Sequence, residues 1–164
     1  MKTAYAAVLT ALALAAGAGH ARAQGTLPIT VEARLDAGIP LGDSGDLLKS
    51  GLGWGVDAGL DLTPTVSIYA GYSRFDLPTK ANDDVSVRDD GFDVGGRIIL
   101  GTGVGLLTPY VQVGALFHDE TGVEAGLGAE YPVGNAISLT PMARFRKVGD
   151  LQYVGIGLGG SLRF

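Results

Sequence analysis

From residue 29 to its end the chain alternates between apolar side chains and small or polar ones. Successive residues of a β-strand point to opposite faces, so the last stretch, YVGIGLGGSLRF (153–164), puts Val154, Ile156, Leu158, Leu162 and Phe164 on one side. Tyr153, Gly155, Gly157, Gly159, Ser161 and Arg163 fall on the other. Seven earlier segments divide the same way: 29–39, 52–62, 66–75, 91–100, 110–117, 123–133 and 137–145. Repeated segments of roughly 10 residues, greasy on one face and polar on the other, are what a barrel standing in lipid requires. The pattern predicts an all-β chain, an eight-stranded antiparallel up-and-down transmembrane β-barrel. Beyond the first 23 residues no run approaches the ~20 apolar residues of a spanning helix. An open sheet would leave unpaired backbone groups in hydrocarbon, so a membrane-crossing chain of this pattern has to close on itself.

The face assigned to the lumen collects the charge. Glu32, Arg34 and Asp36 lie in the first strand, Asp57 and Asp61 in the second, Asp93 and Arg97 in the fourth, Glu124 and Glu130 in the sixth, Arg144 and Arg146 at the end of the seventh, and Arg163 in the last. An unpaired charge inside a narrow barrel is costly, so these groups are expected to pair into an Arg/Asp/Glu network that fills the interior, with the lumen glycines making room. On the other face the aromatic residues sort by height. Trp54, Tyr72, Phe92, Phe117 and Phe145 should gather at the outer interface, with Tyr131 and Phe164 at the opposite rim, as an aromatic girdle. No charged residue falls on that face in mid-strand, where an arginine or lysine costs about 2–4 kcal/mol. Pro141 has no N–H to give, so a bulge or a weakened ladder is expected there.

The first residues have a different character. Lys2, an apolar stretch over 6–16 and the small-x-small triplet Ala21-Arg22-Ala23 form the three parts of a signal peptide. It is expected to span 1–23 and to be cleaved between Ala23 and Gln24, leaving 24–164 as the barrel domain. The chain has no cysteine, so its export does not rely on disulfides. Its 12 Lys and Arg against 17 Asp and Glu give a net charge of -5, and loss of Lys2 and Arg22 with the leader makes it more acidic. That balance argues against a nucleic-acid partner, which calls for clustered positive charge.

The pieces VSIYAGYSRF (66–75), TPYVQVG (108–114), GLGAEY (126–131) and the terminal YVGIGLGGSLRF resemble the outer-membrane β-barrel domain family that includes the OmpA transmembrane domain and the OmpX and Ail proteins. The resemblance covers nearly all of the chain after the leader. It implies an eight-stranded barrel in a Gram-negative outer membrane and recognition of the terminal aromatic strand, ending at Phe164, by the barrel assembly machinery. It carries no particular activity with it.

Three further motifs bear on function. Gly155-Ile156-Gly157-Leu158-Gly159-Gly160 has the spacing of a dinucleotide-binding turn, but no helix follows it, and small lumen residues account for it. His118-Asp119-Glu120 is where an imidazole meets carboxylates. It reads as a surface loop, since one histidine without a second histidine or a cysteine is a poor metal site. No serine adjoins it to make a nucleophile. Asp76, Asp83, Asp84, Asp89 and Asp90 crowd the longest connection, 76–90, which reads as solvated or as a place for divalent cations shared with lipopolysaccharide phosphates. Taken together these point to a monomeric structural or surface-interaction protein, surrounded by outer-membrane lipid and lipopolysaccharide, with no catalytic residues, metal or cofactor. A narrow porin-like conduit is the alternative, its acidic lumen favouring cations, and a lipid A-modifying barrel enzyme comes third.

Overall fold

The structure, a computed structural model, describes residues 28–82, 84–101 and 107–164. The expected leader, its cleavage point at Ala23 and Gln24, and Asp83 lie outside the described residues. Eight strands form a closed barrel in sequence order: β1 (Ile29–Pro40), β2 (Gly51–Thr63), β3 (Val66–Pro78), β4 (Ser86–Ile99), β5 (Thr108–Phe117), β6 (Thr121–Pro132), β7 (Ile137–Val148) and β8 (Leu151–Arg163). A short helix, α1 (Gly42–Leu47), lies between β1 and β2. Every neighbouring pair is antiparallel, and β1 closes on β8 from Thr30↔Arg163 to Pro40↔Tyr153, so no strand edge is left open.

The packing is inverted relative to a water-soluble barrel. Facing outward, Leu35, Leu52, Phe92, Val113 and Leu127 are 72, 77, 65, 64 and 62% exposed. Glu32, Arg34, Asp36, Asp93, Glu124, Arg144 and Arg146 are each no more than 3% exposed, facing inward. An apolar surface wrapping the whole barrel is far larger than the patches soluble monomers expose, and it is stable only where hydrocarbon replaces water. The barrel therefore spans a membrane, with its polar groups in the lumen.

One end of the barrel carries α1 and the β3–β4 hairpin, the other both chain ends. At the α1 end the inversion stops. In 74–77, Phe75 and Leu77 point inward and are fully buried, while Arg74 and Asp76 point outward. The chain has here left the lipid, and its strands carry apolar groups inside and charge outside, as strands in water do. For that reason the expected long connection 76–90 is mostly strand: β3 runs on to Pro78 and β4 begins at Ser86. The polar connection expected over 42–50 holds α1. Pro141 shifts no register. The β6–β7 ladder keeps its alignment from Gly128↔Met142 to Tyr131↔Leu139 but omits the pairs between them, so the weakening is local. Among the described residues the irregular register lies instead on β2–β3, between Asp61 and Thr63. The tight β7–β8 turn rests on Gly149, whose φ of +54° is the left-handed region that favours glycine.

Candidate functional site

The lumen is the place where polar chemistry is concentrated, and it falls into three layers. At the α1 end it is apolar. Leu48, Phe75, Leu77 and Tyr153 form a buried cluster with Leu151 against it, the Phe75 and Tyr153 rings 4.8 Å apart. The segment 41–49 is fastened over this cluster on two sides. Toward β8, Ser44 Oγ donates to the Asp150 carbonyl at 3.2 Å and accepts from the Gln152 N–H at 3.0 Å. Toward the β3–β4 hairpin, Lys49 N donates to Pro78 O at 2.7 Å, Lys80 N to Leu47 O at 2.8 Å and Lys80 Nζ to Gly45 O at 2.6 Å.

The middle layer is ionic. Arg146, with no exposed surface, spreads its three nitrogens over three partners: Nε to Glu124 at 2.7 Å, Nη1 to Ser73 Oγ at 2.7 Å and Nη2 to Asp93 at 2.8 Å. Arg34 donates to Asp57 and, at 3.1 Å, to Asp93, with Asp36 3.5 Å from its Nε. Arg144 reaches Asp36 at 2.8 Å. Glu124 also accepts from Tyr69 at 2.9 Å and Gln112 at 2.6 Å. Arg34 has the space it needs because β2 carries a glycine opposite: a Cβ on Gly55 would sit 2.5 Å from the Arg34 Cζ. Of the lumen residues named from the alternation, Arg34, Asp36, Asp57, Asp93, Glu124, Arg144 and Arg146 meet in this layer. Glu32, Asp61, Arg97, Glu130 and Arg163 lie below it, toward the chain ends. Arg163 is half exposed at the rim, 3.5 Å from Asp61 and 3.8 Å from Glu130.

His118 corrects the surface-loop reading. Its side chain is 1% exposed and wedged between two carboxylates, Nδ1 2.5 Å from Asp89 and Nε2 2.9 Å from Asp93. Asp89 in turn accepts from the Tyr153 hydroxyl at 2.5 Å, so one imidazole ties the β5–β6 turn to β4 and, through Asp89, to β8. Burial works against its charge, but hydrogen bonds to Asp89 and Asp93 and their negative charge outweigh that and push its pKa up to about 9. A histidine whose pKa is raised on folding adds stability that is complete below its unfolded value, about 6.5, and is lost as pH climbs through 9. Urea midpoints should therefore fall between pH 6.5 and 9.5 for the natural protein. His118→Gln should lack that slope, and a variant with the same slope would show that other groups cause it.

Among the described residues, the acidic connection brings no group of carboxylates together for a cation. Asp76 takes Arg74 at 2.9 Å and Arg88 at 3.3 Å, Asp90 accepts from the Tyr72 hydroxyl at 2.5 Å, and Asp89 belongs to His118. Asp84 is exposed in the turn. Outside, Trp54, Tyr72 and Phe92 stand in a row on adjacent strands with ring centroids 5.9 and 5.6 Å apart, and Phe92 pairs across the ladder with Phe117. Phe145 stands apart on β7, between Ala125 and Val154. At the other end Tyr131 is 40% exposed, and the Phe164 N–H bonds to the Ile29 carbonyl.

No family model matches the chain, and no curated protein matches it in sequence. Solved structures do match it in shape. Neisserial surface protein A is similar with a TM-score of 0.66 at 13% identity, over 83% of this chain and 97% of that one. The attachment invasion locus protein Ail of Yersinia pestis is similar at 0.61 and 12%, over 85% and 100%. A de novo designed transmembrane β-barrel is similar at 0.54 and 21%, over 86% and 98%. The class is thus the small eight-stranded transmembrane β-barrel, the fold of these outer-membrane proteins. Since a designed barrel shares that fold, shape alone assigns no task.

Proposed function

We propose that this is an outer-membrane barrel with a structural or surface-interaction role and a lumen that does not conduct. The single observation that carries the reading is the closed interior: an apolar cluster under a fastened segment at one end, and a fully buried, ion-paired layer behind it. An eight-stranded barrel is just wide enough for side chains to fill, and here they do. The α1 end faces outward: it is opposite both chain ends and carries the longest connection, 41–50, as an extracellular side does. Arg74 and Arg88 then stand just above the Trp54–Tyr72–Phe92 row, at the height of lipopolysaccharide phosphates, which suit guanidinium donors. Phe164, at the inner rim, is the end offered to the assembly machinery.

Catalysis is disfavoured by the commitments of the groups that would perform it. Both His118 nitrogens face carboxylates, and Ser73 Oγ accepts from Arg146, so this histidine and this serine do not form a base and nucleophile pair. The deciding experiment for the main reading is conductance. Purified barrel in planar bilayers should give no discrete current steps. Steady unitary currents from the natural protein would favour the cation conduit instead.

A further inference from the structure

Closure removes the strand edges of the barrel wall, but the eight strands are not equally tall. The β3–β4 ladder is continuous from Val66↔Ile98 up to Pro78↔Ser86. The β4–β5 ladder starts only at Phe92↔Phe117, so residues 86–91 of β4 are paired on one side. The opposite flank of the hairpin is covered: Leu52 pairs with Asp76, Lys49 N donates to Pro78 O, and Leu48 bridges to Thr79. Which backbone groups line the free side follows from the alternation of an antiparallel ladder. Thr79 N donates to Val85 O and Ile99 N to Thr65 O, so odd residues bond toward β3; Leu100 N donates to Pro109 O, so even residues face β5. The N–H and C=O groups of Ser86, Arg88 and Asp90 therefore point into the gap above β5. Among the described residues they find no backbone partner there. This stretch stands above the lipid, and an unpaired strand edge in water is a template for another strand.

We propose that this edge accepts an extended segment of a second polypeptide, laid antiparallel to β4 in the place β5 would take if it went on. The proposal rests on the surface-interaction reading above and names the kind of partner. Main-chain bonds to Ser86, Arg88 and Asp90 supply affinity, and the side chains beside them set the preference. On the inner face Val87 is 38% exposed, although its partner across the ladder, Leu77, is fully buried. An apolar side chain laid beside Val87 continues the cluster that holds Leu77. On the outer face Arg88 and Asp90 take their partners, Asp76 and the Tyr72 hydroxyl, from β3, which leaves their far sides to an acid and a base two residues apart. Below the gap the β5–β6 turn presents Asp119 and Glu120, both exposed, so the lower end of the segment is basic. A second copy in the same membrane does not fit. Its β4 runs the same way, and pairing across a two-fold axis would set Arg88 beside Arg88, like charges that oppose pairing.

The probe is the hexapeptide KKTEVT, which places lysine against Asp90, glutamate against Arg88 and valine against Val87. It is titrated onto the whole isotope-labelled barrel in phosphatidylcholine nanodiscs, and amide exchange is followed by NMR. Without peptide the amides of Arg88 and Asp90 should exchange fast and those of Val87 and Asp89 slowly. Saturating peptide should slow the first pair by about tenfold or more. N-methylation of the peptide's second lysine and its glutamate, whose N–H groups face the edge, should abolish that protection; N-methylation of its first threonine and its valine should not. Arg88→Pro should lose binding where Arg88→Ala keeps it within a few-fold. Both lack the guanidinium, and proline removes in addition an N–H that the β3 ladder does not use. The proposal is overturned if no peptide concentration slows these amides, if they are protected before peptide is added, or if the position of the methyl groups makes no difference. Protection that grows with barrel concentration alone would give the edge to a second copy and overturn it as well. Conductance does not depend on any of these results, so a failure here leaves the closed-lumen reading standing.

Discussion

Arg146→Met should lower the stability of the barrel by about 3 kcal/mol, the low end of the range for removing one partner from a buried ion pair. Arg146 is the one side chain that joins Glu124, Ser73 and Asp93 at once. Without it both carboxylates stay buried. They are not wholly abandoned: Glu124 keeps Tyr69 and Gln112, and Asp93 keeps Arg34 and His118, which is why the low end is expected. Lysine should rescue little. The three bonds leave from three different nitrogens of a rigid planar fork, and an ammonium on a flexible stem cannot reproduce their directions. The double variant Arg146→Met with Glu124→Met should recover part of the loss, because it removes the stranded charge together with its partner. The chain has a single tryptophan, Trp54, on the outer face beside Tyr72, so its fluorescence reports the barrel leaving lipid during urea unfolding in vesicles. A loss below about 1 kcal/mol would mean that the ionic layer merely fills space, since such small values are typical of exposed pairs.

That network also marks where the sequence stops being readable. A period of two assigns a side chain to a face, and it did so for Arg34, Asp36, Asp93, Glu124, Arg144 and Arg146. It says nothing of which groups meet across the lumen. The Arg144–Asp36 contact joins residues 108 apart, and only the β1–β8 closure with its stagger of strands brings them together. The reading failed in a different way over 76–90. There the segment reads as a solvated connection, because the template of apolar groups outside and polar groups inside stops matching at the edge of the lipid, where the solvent changes and the pattern turns over. Phe75, Leu77 and Asp89 are inward residues of one continuous hairpin, and the aspartates that alternate with them, Asp76 and Asp90, are outward. His118 was hidden for a related reason. A histidine in a short polar turn looks solvated, and nothing local announces that Asp89 and Asp93, on a neighbouring strand, will receive it. The signal that was available is the spacing Asp89-x-x-x-Asp93, two carboxylates on one face of a strand whose partner in the ladder ends at Phe117, just before His118.

Leu127→Arg should cost about 2–4 kcal/mol in vesicles, the range for an arginine at the midplane of a lipid-facing strand. Leu127 lies on the outer face of β6, midway between Val123 and the rim residue Tyr131, beside Val111 on β5 and Ala143 on β7. It is 62% exposed. The two possible surroundings of Leu127 give effects of clearly different size. Around a water-soluble barrel, an arginine at so open a position would leave stability within about ±0.5 kcal/mol, as surface changes usually do. In hydrocarbon the guanidinium has no water to bind and no carboxylate within reach on this face, so it has to drag in solvent or snorkel along the barrel wall. The penalty should shrink for arginine placed near either rim, Val123→Arg costing less than Leu127→Arg, because depth in the bilayer sets the cost. If the two variants cost the same, the apolar outside does not face a bilayer in the depth order given by β6. If Leu127→Arg costs nothing, lipid does not surround the barrel at all, and the outer-membrane role falls with it.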